Sequence, residues 1–350
     1  MLRFAQHDHR VCAFMFATIL KAPEGFSRLT HPDRDVTLDR MNRRLLGALS
    51  GLIATSIWGG MYVVTDVVLE VVPPAALLVM RYALALAVLY PAFRLTRDRG
   101  IARRDLGEIA LVAFVGFGVS LLAQFGGTQL STAAAGAVIT SATPAFIILF
   151  AWPLLGEAPS RAKLIGLALA TIGVLVVSLA GGQLTSEQSR DPLLGNLLLI
   201  VAAVTWALYT VMARRATQRY SSLAVTMMVT AFGIPIVAPM AAIELSSRGI
   251  GALAPEVIGG ILYVGIGSTA IAFYLWNKSF ELLDAATASL FFFAQPVVGT
   301  LLSAIFLHEV LGASFFVGAA LIGAGVLLGM LSTDAFGETD TQTEADTEAL

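Results

Sequence analysis

The stretch that decides the fold occurs twice: GVSLLAQFGGTQLSTAAAGAVITSATPAFIILFAWPLLGE at residues 118–157 and AIAFYLWNKSFELLDAATASLFFFAQPVVGTLLSAIFLHE at residues 270–309. At an offset of 152 residues and without a gap, Leu130 falls on Leu282, Ala133 on Ala285, Pro144 on Pro296 and Glu157 on Glu309. The same offset carries Gly166 onto Gly318 and Gly173-Val174-Leu175 onto Gly325-Val326-Leu327. Two similar apolar halves with prolines at matching depth follow a plan of secondary transporters, whose sites lie between the repeats near the bilayer midplane.

Composition agrees with a membrane setting. The 350 residues are 57% hydrophobic and 13% charged, with a mean hydropathy of +0.80, whereas soluble domains carry roughly 25% charged residues. The net charge of −2 says nothing about nucleic acid, because the basic residues sit in short loops rather than on a face, and no nucleic-acid partner is expected. Cys12, the only cysteine, lies outside the apolar body, so no disulfide framework or thiol nucleophile is available there. No metal site, catalytic group or cofactor is expected.

Working outward, residues 1–44 read as an N-terminal extension without order; the apolar run 11–20 is too short to span. Residues 45–182 form a first repeat and 193–332 a second. Residues 333–350, rich in Asp, Glu and Thr, read as a disordered acidic tail. The pattern predicts an all-α polytopic membrane protein of ten transmembrane helices, arranged as two inverted five-helix repeats. The predicted spans are 46–68, 75–94, 107–128, 132–154 and 163–181, then 194–213, 222–243, 256–277, 285–307 and 311–331. Continuous apolar runs exclude a barrel, and within lipid the remaining way to satisfy the backbone is the helix.

One set of alternate loops carries Arg94, Arg97, Arg99, Arg103, Arg104, Arg161, Lys163, Arg214, Arg215, Arg219 and Lys278, and the other set Arg190 and Arg248. The positive-inside rule makes the first set cytoplasmic, and Arg40, Arg43 and Arg44 place the N-terminus there too. Ten spans return the C-terminus to the same side. Five spans per half is an odd number, so the second half runs inverted relative to the first.

Trp58-Gly59-Gly60, Arg81, Thr143-Pro144 with Leu155-Gly156-Glu157, Trp206, Pro296 with Leu307-His308-Glu309, and the Gly-rich fifth and tenth spans resemble the repeat of EamA-type transporters. That family is part of the drug/metabolite transporter superfamily. The resemblance covers roughly residues 45–332. It implies a ten-helix inverted-repeat carrier in the inner membrane that exports amino acids or related small polar metabolites. The second copy departs from the pattern at His308, where glycine is usual, and lacks a counterpart of Arg81.

The candidate cavity residues are Trp58, Tyr62, Arg81, Gln124, Thr140, Thr143, Trp206, Tyr209, Tyr274 and Gln295. A charge inside a span costs about 2.5–3.5 kcal/mol, so Arg81 faces a cavity or a partner. Two readings are open: it binds a substrate carboxylate, or it pairs with Asp66 or Glu70 or snorkels outward. Trp58 and Trp206 lie at mid-depth rather than in an interfacial belt; they line the cavity with Tyr62 and Tyr209 one turn on, or they pack helices together. Pro144 and Pro296 are structural kinks that free carbonyls beside Thr140, Ser141, Thr143 and Gln295. Ser268, Thr269 and Asn277 are weaker candidates with Tyr274. Glu157 and Glu309 read as caps for the helix that follows each. The small residues of spans five and ten permit close packing, within the molecule or in a homodimer. The expected partners are a small-molecule substrate and the lipid bilayer. A membrane enzyme would need a Gly-x-Ser-x-Gly elbow or a His-Glu-x-x-His site, and the body carries neither.

Overall fold

A computed structural model describes residues 32–131, 136, 139–180, 191–307 and 313–331. The extension up to residue 31, the 181–190 loop, His308, Glu309 and the acidic tail lie outside the described residues, as do the side chains of Tyr62 and Asp66. The described chain is nearly all helical.

Helix α1 is Pro32–Val71 and α2 is Pro74–Leu95. Helix α3 (Leu106–Ala113) passes through a π-helical stretch, Phe114–Ser120, into α4 (Leu121–Leu130). Helices α5 (Thr143–Leu155) and α6 (Arg161–Ala180) complete the first half. The second half runs α7 (Pro192–Thr217), α8 (Ser222–Arg248) and α9 (Pro255–Leu262), then a π-helical stretch, Tyr263–Ile271, into α10 (Ala272–Leu282). It ends with α11 (Ala285–Leu290), a 3₁₀ turn at Phe291–Phe293, α12 (Ala294–Leu307) and α13 (Ala313–Leu331).

Among the described residues, six helices are long and apolar enough to cross a membrane: Pro74–Leu95, Arg103–Leu130, Pro192–Thr217, Ser222–Arg248, Pro255–Leu282 and Ala313–Leu331. The apolar helices Thr143–Leu155 and Ala285–Gly299 are shorter.

The ends follow local chemistry. Pro74 opens α2, where the missing N–H costs nothing, and the Ala75 and Ala76 N–H groups donate to Glu244 of α8 at 2.7 and 3.3 Å. Gly156 closes α5 in the left-handed region (φ 72°), a conformation that costs glycine little. The prolines do more than bend. Thr143-Pro144 begins a helix after a turn at residues 141–142, and Pro296 stands in the first turn of α12 behind the 3₁₀ turn. Proline cannot donate to the i−4 carbonyl and clashes with it, so each chain restarts there rather than running through as one span.

The halves interlock. Helix α1 packs on α10 and α12 of the second half, while α7 packs on α4 and α5 of the first. Helix α2 pairs with α8 and α6 with α13. A Cβ built on Gly166 would come 2.6 Å from the Gly325 carbonyl oxygen, and one on Gly173 would come 2.6 Å from that of Gly318. As the numbers rise along α6 they fall along α13, so the two run antiparallel. Gly166 faces the residue equivalent to Gly173 and the reverse, the self-complementary pattern of a two-fold contact. This small-residue stripe is used inside the molecule; small residues let apolar helices approach closely where water exclusion adds little.

Candidate functional site

Between the halves lies a cavity enclosing about 430 Å³ of atom-free space, open solvent included. Trp58 and Met61 reach it from α1 and Arg81 from α2. Ser120, Leu121 and Gln124 come from the first π-helical stretch and α4, Thr140 from just before the 141–142 turn and Thr143 from the first residue of α5. Ala202, Ala203 and Trp206 come from α7, Phe273 from α10, Phe292 from the 3₁₀ turn and Gln295 from α12.

Arg81 is fully buried. Its Nε donates to Thr269 Oγ1 at 2.6 Å and its Nη2 to Ser268 Oγ at 3.4 Å. Phe125 and Phe273 lie 5.6 and 5.5 Å from the guanidinium carbon, measured to the ring centroids, within cation–π range. Nη1 has no partner. Glu70 is exposed, and no carboxylate among the described residues pairs with Arg81. The second π-helical stretch makes this arrangement possible. Widening to i→i+5 re-aims groups in the middle of a helix, and such stretches recur at functional sites. Here the Thr269 hydroxyl donates to Val264 O at 2.7 Å while accepting from Arg81, and the Ser268 carbonyl accepts the Trp58 indole N–H at 2.9 Å.

Trp58 is the centre of an aromatic cluster, with ring centroids 5.6 Å from Trp206, 5.3 Å from Phe273, 5.3 Å from Trp276 and 6.4 Å from Phe292. The Trp206 Nε1 and Thr143 Oγ1 atoms are buried and, like Arg81 Nη1, lack a partner. Three unpartnered polar atoms therefore belong to residues lining one cavity. Buried polar groups are rarely left so, because each costs about 1–3 kcal/mol.

The structure thus brings Trp58, Arg81, Gln124, Thr140, Thr143, Trp206 and Gln295 together on the cavity. It places Tyr209 behind Trp206 (centroids 4.7 Å apart), with its hydroxyl 3.4 Å from the Asn277 amide nitrogen. A Cβ on Gly116 would come 2.4 Å from the Tyr209 ring, so glycine there opens the slot the ring fills. Tyr274 is buried on α10 and is not among the lining residues. Sequence reasoning had not singled out Met61, Ser120, Leu121, Ala202, Ala203, Phe273 or Phe292. A signal was available for several: Met61 is three residues after Trp58, Ser120 four before Gln124, and Ala202 and Ala203 four and three before Trp206, which puts each on the same helix face as a named candidate.

Toward the Lys/Arg-rich end the helices pack closely. Trp276 and Phe280 are buried on α10, Gly51 packs on Phe291 and Gly47 on Leu283. Beyond them Arg214 Nε meets Glu157 Oε1 at 2.6 Å, and the Arg214 Nη1 donates to the Phe280 carbonyl. Glu157 does cap a helix, but not the one that follows it: Oε2 accepts the Ala285 N–H of α11 at 2.6 Å. The short loop after Gly156 turns its carboxylate across to the other half. Lys163 meets Asp284 at 2.7 Å, and Arg219 pairs with Glu108. Burial alone would push the Asp284 carboxyl up, but the Lys163 ammonium and the Thr287 N–H and hydroxyl hold it below its ordinary value.

Among known proteins, residues 45–179 and 193–331 each match the model of the EamA-like transporter family. The uncharacterized transporter YetK of Bacillus subtilis (strain 168) is 28% identical over 292 residues, 82% of this chain and 87% of YetK. An uncharacterized transporter of Archaeoglobus fulgidus is 27% identical over 279 residues, 79% of this chain and 95% of its own length. A protein of Streptantibioticus cattleyicolor named as a probable terminal-alkyne amino-acid exporter is 27% identical over 247 residues, 70% of this chain and 79% of that one. One crystal structure superposes with a TM-score of 0.67 at 24% identity, covering 81% of this chain and 96% of the other; it shares the fold.

Proposed function

The chain belongs to the EamA-like transporter family, and from that premise we propose a secondary carrier that moves a small polar metabolite across the inner membrane by alternating access. The observation that carries this reading is the cavity between two matched halves, lined from both and holding three unpartnered buried polar atoms. A site between pseudo-symmetric halves can be opened to either side by rocking one half against the other. The antiparallel, reciprocal contact of α6 with α13 supports two inverted repeats, and with them ten spans and both termini in the cytoplasm. In that frame the ion pairs Glu157–Arg214, Lys163–Asp284 and Arg219–Glu108 hold the cytoplasmic side shut. The homology to a protein named as an amino-acid exporter supports export and a substrate of amino-acid size. The lining residues Trp58, Arg81, Gln124, Thr140, Thr143, Trp206 and Gln295 are its substrate contacts, with Tyr209 a support behind Trp206. Counterflow in proteoliposomes, loaded in turn with amino acids, organic acids, amines and nucleosides, tests the proposal. Saturable exchange of one chemical class is expected; folded protein that exchanges nothing across the panel overturns it.

A further inference from the structure

The repeat offset shows how the two walls of the cavity have diverged. Leu121 and Phe273 occupy equivalent positions, as do Thr140 and Phe292, and all four line the cavity. At the 140/292 pair the first half supplies a hydroxyl and the second an aromatic ring. At the 121/273 pair the first supplies an aliphatic side chain and the second again a ring, so Phe273 and Phe292 give the second half's wall two flat apolar faces. Arg81 is the one charged side chain among the described residues lining it, and its equivalent at the same offset is Gly233. The guanidinium is clamped along one edge by Thr269 and Ser268 and faced by Phe125 and Phe273. That clamp fixes the fork and leaves Nη1, fully buried and unpartnered, as the donor on offer.

We propose that the cavity takes an organic acid with a flat apolar body, its carboxylate on Arg81 Nη1 and its body on Phe273 and Phe292, recognised through the acid group rather than through an amine. The proposal rests on the carrier reading for its setting but concerns binding alone. A carboxylate supplies the charge and the acceptor that a desolvated guanidinium lacks, and charged hydrogen bonds in a dry site are the strong ones. The Thr143 hydroxyl, also unpartnered, can donate to the second carboxylate oxygen. The aromatic wall recognises a flat body by area and ring geometry and asks nothing of an amino group.

The test is calorimetric titration of the full-length protein in nanodiscs with three matched probes: 3-phenylpropionate, phenylalanine and phenethylamine. The acid binds, phenylalanine binds within a few-fold of it, and the amine binds more than about tenfold more weakly, the loss expected when a buried charged hydrogen bond is not made. An amine that binds as tightly as the acid overturns the assignment, as does a tenfold loss on removing the amino group, or no binding of any probe by folded protein. Arg81→Lys keeps the charge but loses the planar fork and weakens the acid by about tenfold or more; Thr143→Val, the milder change, weakens it without altering the melting temperature. Counterflow on the same preparation separates the two readings. Binding of the acid without exchange removes the carrier and leaves this inference, whereas exchange of amines alone does the reverse.

Discussion

The seam between α6 and α13 and the cavity between the halves both include pairs of equivalent positions, yet they treat those pairs in opposite ways. At the seam the residues have stayed the same: Gly166 and Gly318, Gly173 and Gly325. A Cβ on Gly166, Gly173 or Gly325 would sit 2.5–2.6 Å from a carbonyl oxygen of the other helix. At the cavity the positions have been kept and the residues changed, Thr140 against Phe292 and Thr143 against Gln295, while the equivalent of Arg81 is Gly233, which is not among the lining residues. Close packing across a two-fold tolerates no asymmetry, because any added atom on one helix clashes with the other. A ligand without two-fold symmetry demands asymmetry. The difference therefore separates what holds the halves together from what they hold.

The largest effect should come from breaking the seam. Gly173→Leu forces a side chain into the Gly318 backbone and should cost about 1–3 kcal/mol or more, read as lost monodisperse protein and a lower melting temperature. Gly325→Leu should cost the same within experimental error. Unequal losses would mean that the contact is not reciprocal and would weaken the inverted-repeat reading. Next, Thr140→Phe makes the first half's wall resemble its partner and fills the cavity. Exchange should fall more than about tenfold while the folded yield holds; a variant that transports normally would place the substrate elsewhere.

Smaller effects belong to the Lys/Arg-rich end. Glu157→Ala removes the acceptor for both Arg214 and the Ala285 N–H and should cost about 1.5–3 kcal/mol, the range for hydrogen bonds to charged groups. A change no larger than that of an exposed substitution would mean that the pair does not hold this end. The smallest concerns Asp284. Its carboxyl is held below the ordinary value, so its contribution is complete above about pH 4, the unfolded-state pKa, and is lost as pH falls through the lower folded-state value. Melting temperatures between pH 7 and pH 3 should fall less steeply for Asp284→Asn than for the parent protein. Parallel curves would remove Asp284 from the account.

Much of this was legible in the sequence because it depends on repetition and on cost. The offset of 152 residues aligned Pro144 with Pro296, and proline chemistry turned both into breaks. A lone charge in an apolar span pointed to Arg81, and mid-depth indoles to Trp58 and Trp206. What stayed hidden depends on partners far along the chain. The clamp on Arg81 comes from a helix nearly two hundred residues on, at Ser268 and Thr269, and requires a π-helical stretch that carries no composition signal. Tyr209 shares a helix face with Trp206, but a slot opened by Gly116 draws it away from the cavity. Glu157 was readable as a cap, yet which helix it caps follows from the docking of the halves.

Accessibility of the cavity from each side tests the central claim most directly. With Cys12 replaced by serine, Thr143→Cys would be exposed to a membrane-impermeant thiol reagent from one face of the membrane and then from the other. The account predicts reaction from the face opposite the Lys/Arg-rich end, and several-fold faster reaction from the Lys/Arg-rich face once Glu157→Ala and Asp284→Asn have loosened the closure. Equal labelling from both faces in the otherwise intact protein, or labelling from neither in any variant, would contradict a carrier whose cavity is open to one side at a time.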